Sequence, residues 1–351
     1  MNDSYGKVFG GRGAGGDVTE LDAWLAAEGA RMRPFEGQPG PERFGSPWAE
    51  HEALTARVAI LDARRHARWL LAGPDRERLL HGVLSNEIRG MKPGEARESL
   101  LLDPKGRLVA RLALLETDAA YLVLAEAGCA AAAKTTLERY LRFSKSRMGE
   151  ADLDEIRLVG PLAPRLFEQV TDGEAPKDGT FVQAGNAYAR AFAFGELPGV
   201  QFLVQRDETL EMWKLLRQAG AQPAGFAAEE TARVWAGEPR FGAELSPDVF
   251  PQEVGLDPLV SFAKGCFVGQ ETMARIKNLG KVNRRLVRVR FDAKEPPAPG
   301  ATLSRDGKDV GTVTSSVKPG HESPVGLALV RVEAAEPGMR LSASGVAATV
   351  L

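Results

Sequence analysis

Two hydrophobic periods alternate along the chain, and their order repeats. Residues Arg68–Ala72 read as a strand running through Gly73-Pro74 into a helical stripe over DRERLLHGVL. Proline suits a first helical turn because its missing N–H has no partner there. Further on, Ile156–Val159 runs through Gly160-Pro161 into LAPRLFEQV. Gly73, Pro74, Arg78 and Leu79 fall at the same offsets as Gly160, Pro161, Arg165 and Leu166, so the chain reads as two related units. Between them, Glu98–Leu102 and Leu108–Leu115 flank Asp103-Pro104-Lys105-Gly106-Arg107, whose turn residues predict a hairpin. Tyr121–Ala125 adds a strand, and Ala130–Phe143 a helix with Leu137, Tyr140 and Leu141 on one side. The second block follows with strands over Phe181–Phe194 and Gln201–Gln205. A helix over Glu208–Ala219 turns Met212, Leu215 and Leu216 inward.

Antiparallel strands with helices on one face predict an α+β fold of two ferredoxin-like α/β sandwich units. From Arg284 the pattern changes to short strands separated by Pro-Gly and Asp-Gly pairs, which predicts a small C-terminal β-barrel. At the other end, Thr19 and Asp22 begin a short helix in capping-box fashion. Leu21, Trp24 and Leu25 form its apolar stripe, and Gly29 ends it. The Pro- and Gly-rich stretch Arg33–Pro47 predicts a loop. Gly11-Arg12-Gly13-Ala14-Gly15-Gly16 fits a dinucleotide-binding fingerprint, but no strand precedes it, and it reads as an arm. The expected division is an N-terminal arm and helix (1–45), a first unit (46–150), a second unit (151–280) and the barrel (281–351). The first two units are free to interleave.

Composition narrows the function classes. Lys and Arg total 45 against 47 Asp and Glu, a net charge of −2, which excludes nucleic-acid binding through bulk positive charge. No apolar run reaches about 18 residues, and the N-terminus has no apolar core of a secretory signal, so a cytoplasmic protein away from membranes is expected. Cys129 and Cys266, the only cysteines, make no disulfide framework and lack zinc spacing. With four histidines in the chain, no metal site is expected.

One stretch concentrates chemistry: KGCFVGQETMARIKNLGK, Lys264–Lys281. Gln270–Asn278 reads as a helix with Met273 and Ile276 on one face, a Glu271–Arg275 pair at i,i+4 and Gly280 as its cap. Cys266 then precedes a helix N-terminus, where the dipole and Lys264 both favour thiolate. The competing reading is a small hydrophobe packed beside Phe267 and Val268. Cys129, at the start of an alanine-rich helix, is expected to be buried and inert.

KGCFVGQE strongly resembles the signature of the YgfZ family, folate-binding relatives of the aminomethyltransferase of the glycine cleavage system. Glu238–Gly242 and Pro251–Gly255 resemble the segment leading into that signature, and LLAGPDRERLLHGVLSNEI the family's first helix and following loop. The resemblance implies two ferredoxin-like domains and a barrel around a central opening. It implies tetrahydrofolate as ligand and a role in assembly or repair of iron–sulfur proteins. The partners would be folate and iron–sulfur enzymes or assembly proteins, and the chain a monomer. Glu196 resembles the acid that meets the pterin in the transferases. Arg233 corresponds to an arginine on the helix facing the opening, although Trp235 stands where relatives often carry Glu. Lys105 and Arg107, at the hairpin tip, could meet an anionic folate tail. Cys266 would be a conditional nucleophile or transient cluster contact and Lys264 its pKa modifier. Gly265, Gly269, Gln270, Glu271 and Arg275 would support the loop.

The chain departs from the transferases at one place. They carry an Asp-Asp pair soon after the hairpin glycine, whereas no carboxylate occurs here from Gly106 to Leu115. The usual Asn-Asp of the preceding loop is Asn86-Glu87. Losing a positioned acid or base forfeits roughly 10²–10⁴ in rate. Aminomethyl transfer is therefore not expected, and no reaction is assigned. Two rival readings stay open: a true folate-dependent one-carbon transferase, and a scaffold in which Cys266 only packs.

Overall fold

The computed structural model describes residues 19–280, 282–320 and 322–351; the Gly11–Gly16 stretch lies outside them. Helix α1 (Glu20–Ala27) starts at Thr19, whose hydroxyl and backbone exchange hydrogen bonds with Asp22 in a full capping box. The expected loop at Arg33–Pro47 is instead a hairpin of β1 (Arg31–Phe35) and β2 (Gln38–Arg43). Its turn residues Glu36 and Gly37 both have positive φ, which suits a tight hairpin. Its prolines are tolerated because the ribbon has only two strands, leaving each strand an unpaired edge. Helix α2 (Pro47–Ala56) and strand β3 (Ala59–Asp62) follow.

The first sheet is built from β4 (Ala67–Ala72), β5 (Ala96–Leu102), β6 (Leu108–Glu116), β7 (Ala120–Ala125) and β8 (Arg147–Glu150). Its order is β5-β6-β7-β4-β8. Helices α3 (Arg76–Val83) and α4 (Ala127–Leu141) cover one face. Leu80, Val83, Ala133 and Leu137 pack there on Trp69, Leu112, Leu114 and Val123. The second sheet takes β9 (Leu153–Val159), β10 (Phe181–Ala184), β11 (Ala187–Phe194), β12 (Leu197–Gln205) and β13 (Gln222–Ala224). Its order is β10-β11-β12-β9-β3-β13. The single strand expected over Phe181–Phe194 folds back at Gly185-Asn186. Helices α1, α5 (Ala163–Thr171) and α6 (Thr209–Gln218) pack against this sheet through Leu25, Phe167 and Trp213. Helix α7 (Phe226–Ala236) follows β13.

Residues 46–150 do not close a unit by themselves. Strand β3 crosses into the second sheet, antiparallel to β9 and parallel to β13. Ala59, Ile60 and Leu61 are all buried, so this strand needs an interior place with both faces covered. The Gly-Pro echo has a shared conformation: Gly73 and Gly160 sit at φ +124° and +127°. A Cβ at either would meet a backbone atom at 2.6 Å, Ser146 Cα in one case and Arg57 O in the other. Each proline lies two residues before its helix rather than in the first turn.

Helix α8 (Gln270–Leu279) leads into the barrel strands β14 (Arg284–Phe291), β15 (Thr302–Arg305), β16 (Lys308–Val317), β17 (Val325–Arg331), β18 (Arg340–Ala343) and β19 (Val346–Val350). They close in the order β14-β17-β16-β15-β18-β19 around Val289, Phe291, Leu303 and Val313. No helix among the described residues is long and apolar enough to cross a membrane.

The uncovered faces of the two sheets meet. Ala96, Ala113, Leu122 and Leu124 pack with Leu153, Leu203 and Tyr188. Side chains alternate along a strand, so Glu98 shares the face of Ala96, Arg111 that of Ala113, Arg190 that of Tyr188, and Glu155 and Arg157 that of Leu153. Further along these strands the apolar contact therefore gives way to a layer of paired charges. Arg190 bonds Glu98 across the sheets at 3.3 Å, and Arg157 pairs with Glu155 within β9.

Candidate functional site

The signature loop is held by groups the motif does not advertise. Lys264 is buried, and its Nζ donates to the carbonyl oxygens of His81 and Leu84 at the end of α3. Those carbonyls lack helical partners, so an ammonium is a fitting cap. His81 Nε2 lies 3.2 Å from the Lys264 carbonyl oxygen and closes the contact from the other side. Burial lowers the Lys264 pKa to about 8; Glu87 opposes the shift more weakly, and Arg89 adds to it. The expected role as modifier of the Cys266 thiol is thus replaced by a structural one. Sequence spacing placed Lys264 near Cys266 but could not show which way its ammonium turns.

This lysine has a measurable signature. A folded pKa below the unfolded one means that the unfolded chain binds more protons between about pH 8 and the ordinary lysine value of about 10.5. The Lys264 contribution to stability should rise with pH across that window. Urea unfolding at pH 8 and pH 10 checks it: the stability of wild type relative to Lys264→Met should rise by at least about 1 kcal/mol at the upper pH. An unchanged difference would sink the assignment.

Beyond Lys264 the loop runs through exposed Gly265 and Cys266 to buried Phe267. Gln270 closes on the loop: its Oε1 accepts from the Phe267 N–H at 3.3 Å, and its own N–H donates to the Phe267 carbonyl. Gly280 caps α8 in a left-handed conformation. Glu271 and Arg275 are both exposed and form no ion pair with each other among the described residues, so that expected pair is absent. Gly269 begins α8 at φ +81° and touches the hairpin between β5 and β6. A Cβ there would meet Asp103 O at 2.7 Å and Gly106 Cα at 3.0 Å. The first sheet therefore docks its hairpin tip on the start of the signature helix, and glycine on both sides permits the contact.

That contact forms one wall of a cleft of about 860 Å³ between the hairpin, α8 and the barrel. Arg107, Asp248, Phe250, Glu253, Thr272, Arg275, Ile276, Asn283, Arg284, Arg331 and Glu333 line it. Arg107 donates to the Asp248 carbonyl oxygen at 2.6 Å and lies over the Phe250 ring, 3.9 Å from its centroid. Arg284 makes two bonds to the Glu253 carboxylate. Lys105 is exposed at the hairpin tip, with its charge in solvent and its backbone N–H on Asp103. Sequence reasoning found Arg107 and Arg275 but missed Phe250, Arg284 and Arg331, which only the tertiary fold brings to this place.

Two further expected contacts lie elsewhere. Arg233 is buried on α7. Its guanidinium donates to Glu230, Glu244 and the Ser315 hydroxyl, and Ser315 in turn donates to Glu244. This network ties α7 to barrel strand β16, and the guanidinium is fully engaged by protein, so the expected folate contact at Arg233 is corrected. Glu196 occupies the two-residue turn between β11 and β12 and is exposed. Neighbouring Gly195 packs on Ala236 at the end of α7.

Strand β6 enters the charged inter-sheet layer at Arg111, which pairs with Glu126 and Glu238. Burial would raise the Glu98 pKa, but Arg190 and Arg111 outweigh it and hold the carboxyl below its usual range. Among the described residues, no group of three His, Cys, Asp or Glu side chains is placed to hold a metal ion.

Fold and site together define a protein of aminomethyltransferase architecture. The glycine cleavage system aminomethyltransferase T from Bartonella henselae shares the fold with a TM-score of 0.85 and 20% identity, over 94% of this chain and 95% of that one. Residues 21–264 match the family described as GCVT N-terminal domain, and residues 283–351 match CAF17, C-terminal beta-barrel domain. The aminomethyltransferase of Streptomyces coelicolor is 30% identical over 338 residues, 91% of either chain. That of Geobacillus kaustophilus is 27% identical over 341 residues, covering 91% of this chain and 92% of its own. The chain belongs to the GCVT family, in the YgfZ-like form that carries a CAF17-type barrel.

Proposed function

We propose that this protein binds a reduced folate, tetrahydrofolate, in the opening between its domains and supports the assembly or repair of iron–sulfur enzymes in the cytoplasm, as a monomer and without transferring aminomethyl groups. One observation carries the reading: β6 brings no carboxylate into the inter-sheet layer, and its inward polar residue, Arg111, is tied to Glu126 and Glu238. A relative built for proton chemistry on a folate amine would need a free acid or base in reach. What remains suits binding. Glu196 has an exposed carboxylate able to accept the paired N–H donors of a pterin edge. Cys266 presents an exposed thiol for a client protein or a transient cluster contact.

Calorimetry with tetrahydrofolate should show saturable binding, weakened about tenfold or more by Glu196→Ala, the usual cost of a charge-assisted hydrogen bond. No heat and no thermal shift at millimolar ligand would overturn the folate reading. An assay with aminomethylated carrier protein should stay at background. The curated relatives named aminomethyltransferase favour the opposite outcome. Steady product formation would establish the transferase reading instead.

A further inference from the structure

The cleft beside the signature helix holds more positive charge than the protein itself neutralises. Arg284 on β14 and Arg331 on β17 are direct cross-strand partners. Like charges placed opposite each other on neighbouring strands cost stability. Glu253 neutralises Arg284, but Arg331 has no ion pair among the described residues. Arg275 reaches the same cleft from α8, without the Glu271 partner that its spacing suggested. Asp248 and Glu333 are the remaining carboxylates on the lining. Neither is bonded to Arg275 or Arg331, and the main service of Asp248 is its backbone carbonyl, which takes Arg107 and Arg284.

Around these arginines the walls offer Ile276 and the Phe250 ring as apolar surface and Thr272 and Asn283 as neutral hydrogen-bonding groups. A volume of about 860 Å³ is in the range of small-molecule sites. Guanidinium groups match the paired oxygens of phosphate and carboxylate.

We propose that this cleft, whose lining does not include the pterin candidate Glu196, is a second ligand site for a small organic anion that carries two negative charges on oxygen. Arg275 and Arg331 hold the charged groups, and Ile276 and Phe250 pack the body. A ligand there touches the first sheet's hairpin, the signature helix and the barrel at once, so its binding stiffens the junction on which the signature loop rests.

The test uses the full chain with two probes, inorganic pyrophosphate and glutarate, which separate a phosphate source from a carboxylate one. At least one should bind saturably by calorimetry and raise the melting temperature. Arg275→Gln and Arg331→Gln should each weaken that binding about tenfold or more, while Lys308→Gln, an exposed charge elsewhere on the barrel, should leave it unchanged. Without ligand, Arg331→Gln should melt no lower than wild type, because it removes a like-charge pair. This check guards against a merely misfolded variant. Tetrahydrofolate binding, measured in parallel, should be the same in both arginine variants. The proposal fails if neither probe binds, if the arginine variants bind as wild type does, or if folate binding falls along with anion binding, which would make the cleft part of the folate site.

Discussion

Gly269→Val should separate the signature helix from the hairpin that docks on it, at a cost of about 3 kcal/mol or more. Two effects add. Gly269 sits at φ +81°, a region that costs an L-residue about 1–2 kcal/mol, and more when the side chain is β-branched. The new Cβ would also meet backbone, Asp103 O at 2.7 Å and Gly106 Cα at 3.0 Å, which cannot swing aside as a flexible side chain would. Gly265 provides the internal control. It has φ +95°, but no atom lies within 4 Å of where its Cβ would stand, so Gly265→Val carries the strain without the collision. Urea unfolding should rank Gly269→Val well below Gly265→Val, with the difference measuring the collision alone. Equal losses would mean that hairpin and helix are not held together by this contact. Anion binding in the adjacent cleft should fall in parallel, because Arg107 on the hairpin and Arg275 on the helix would no longer face one space.

What could be read from the sequence was what local chemistry determines. The Thr19–Asp22 capping box, the turn at Asp103–Arg107, the helix after Gly269 with Gly280 as its cap, and the change of period at Arg284 all signal within a few residues of chain, and all are present. The Gly-Pro echo was visible as a repeat, and the structure gives its cause: each glycine lies against backbone where no side chain fits. The misreadings share a different cause. Pro34, Pro39 and Pro41 argued against strands, yet a two-stranded ribbon accepts proline on its free edges. The buried strand Ala59–Asp62 carries no mark of the sheet it joins.

Side-chain direction was the least legible feature. Their place in the motif or on the helix makes Lys264 and Arg233 read as functional cations. Their charges are instead bound to the α3 carbonyls and to Glu230 and Glu244. Arg284 and Arg331 could be found only through strand register, since nothing in either segment announces that the two meet. Glu98 is similar. Its place in the inter-sheet layer follows from alternation once the sheet is known, but its partner Arg190 comes from the other unit.

The two thiols should differ in reactivity by more than about a thousandfold at pH 8. Cys129 is buried in the core between the first sheet and α4, and its thiol donates to the Glu126 carbonyl oxygen at 3.3 Å. Burial, reinforced by the Glu126 carboxylate, pushes its pKa to about 12. At pH 8 only about one Cys129 in ten thousand is then ionised, and the thiolate is the reacting form. Cys266 is exposed to reagent between Gly265 and Phe267. Iodoacetamide labelling read by peptide mass spectrometry should therefore modify Cys266 alone in the native protein. Cys129 should be modified only through unfolding, with a rate that follows urea concentration. Native labelling of Cys129 at a rate near that of Cys266 would show the buried core to be misassigned. The same contrast separates a working thiol from a packing one. An exposed cysteine contributes little to the core, so Cys266→Ser should leave the urea midpoint and tetrahydrofolate binding as they are, to within about 0.5 kcal/mol. Serine is a far poorer nucleophile and metal ligand than thiolate, so the variant should lose its ability to sustain iron–sulfur enzyme activity in cells. Full activity from that variant would leave the proposed thiol role without support and favour a scaffold.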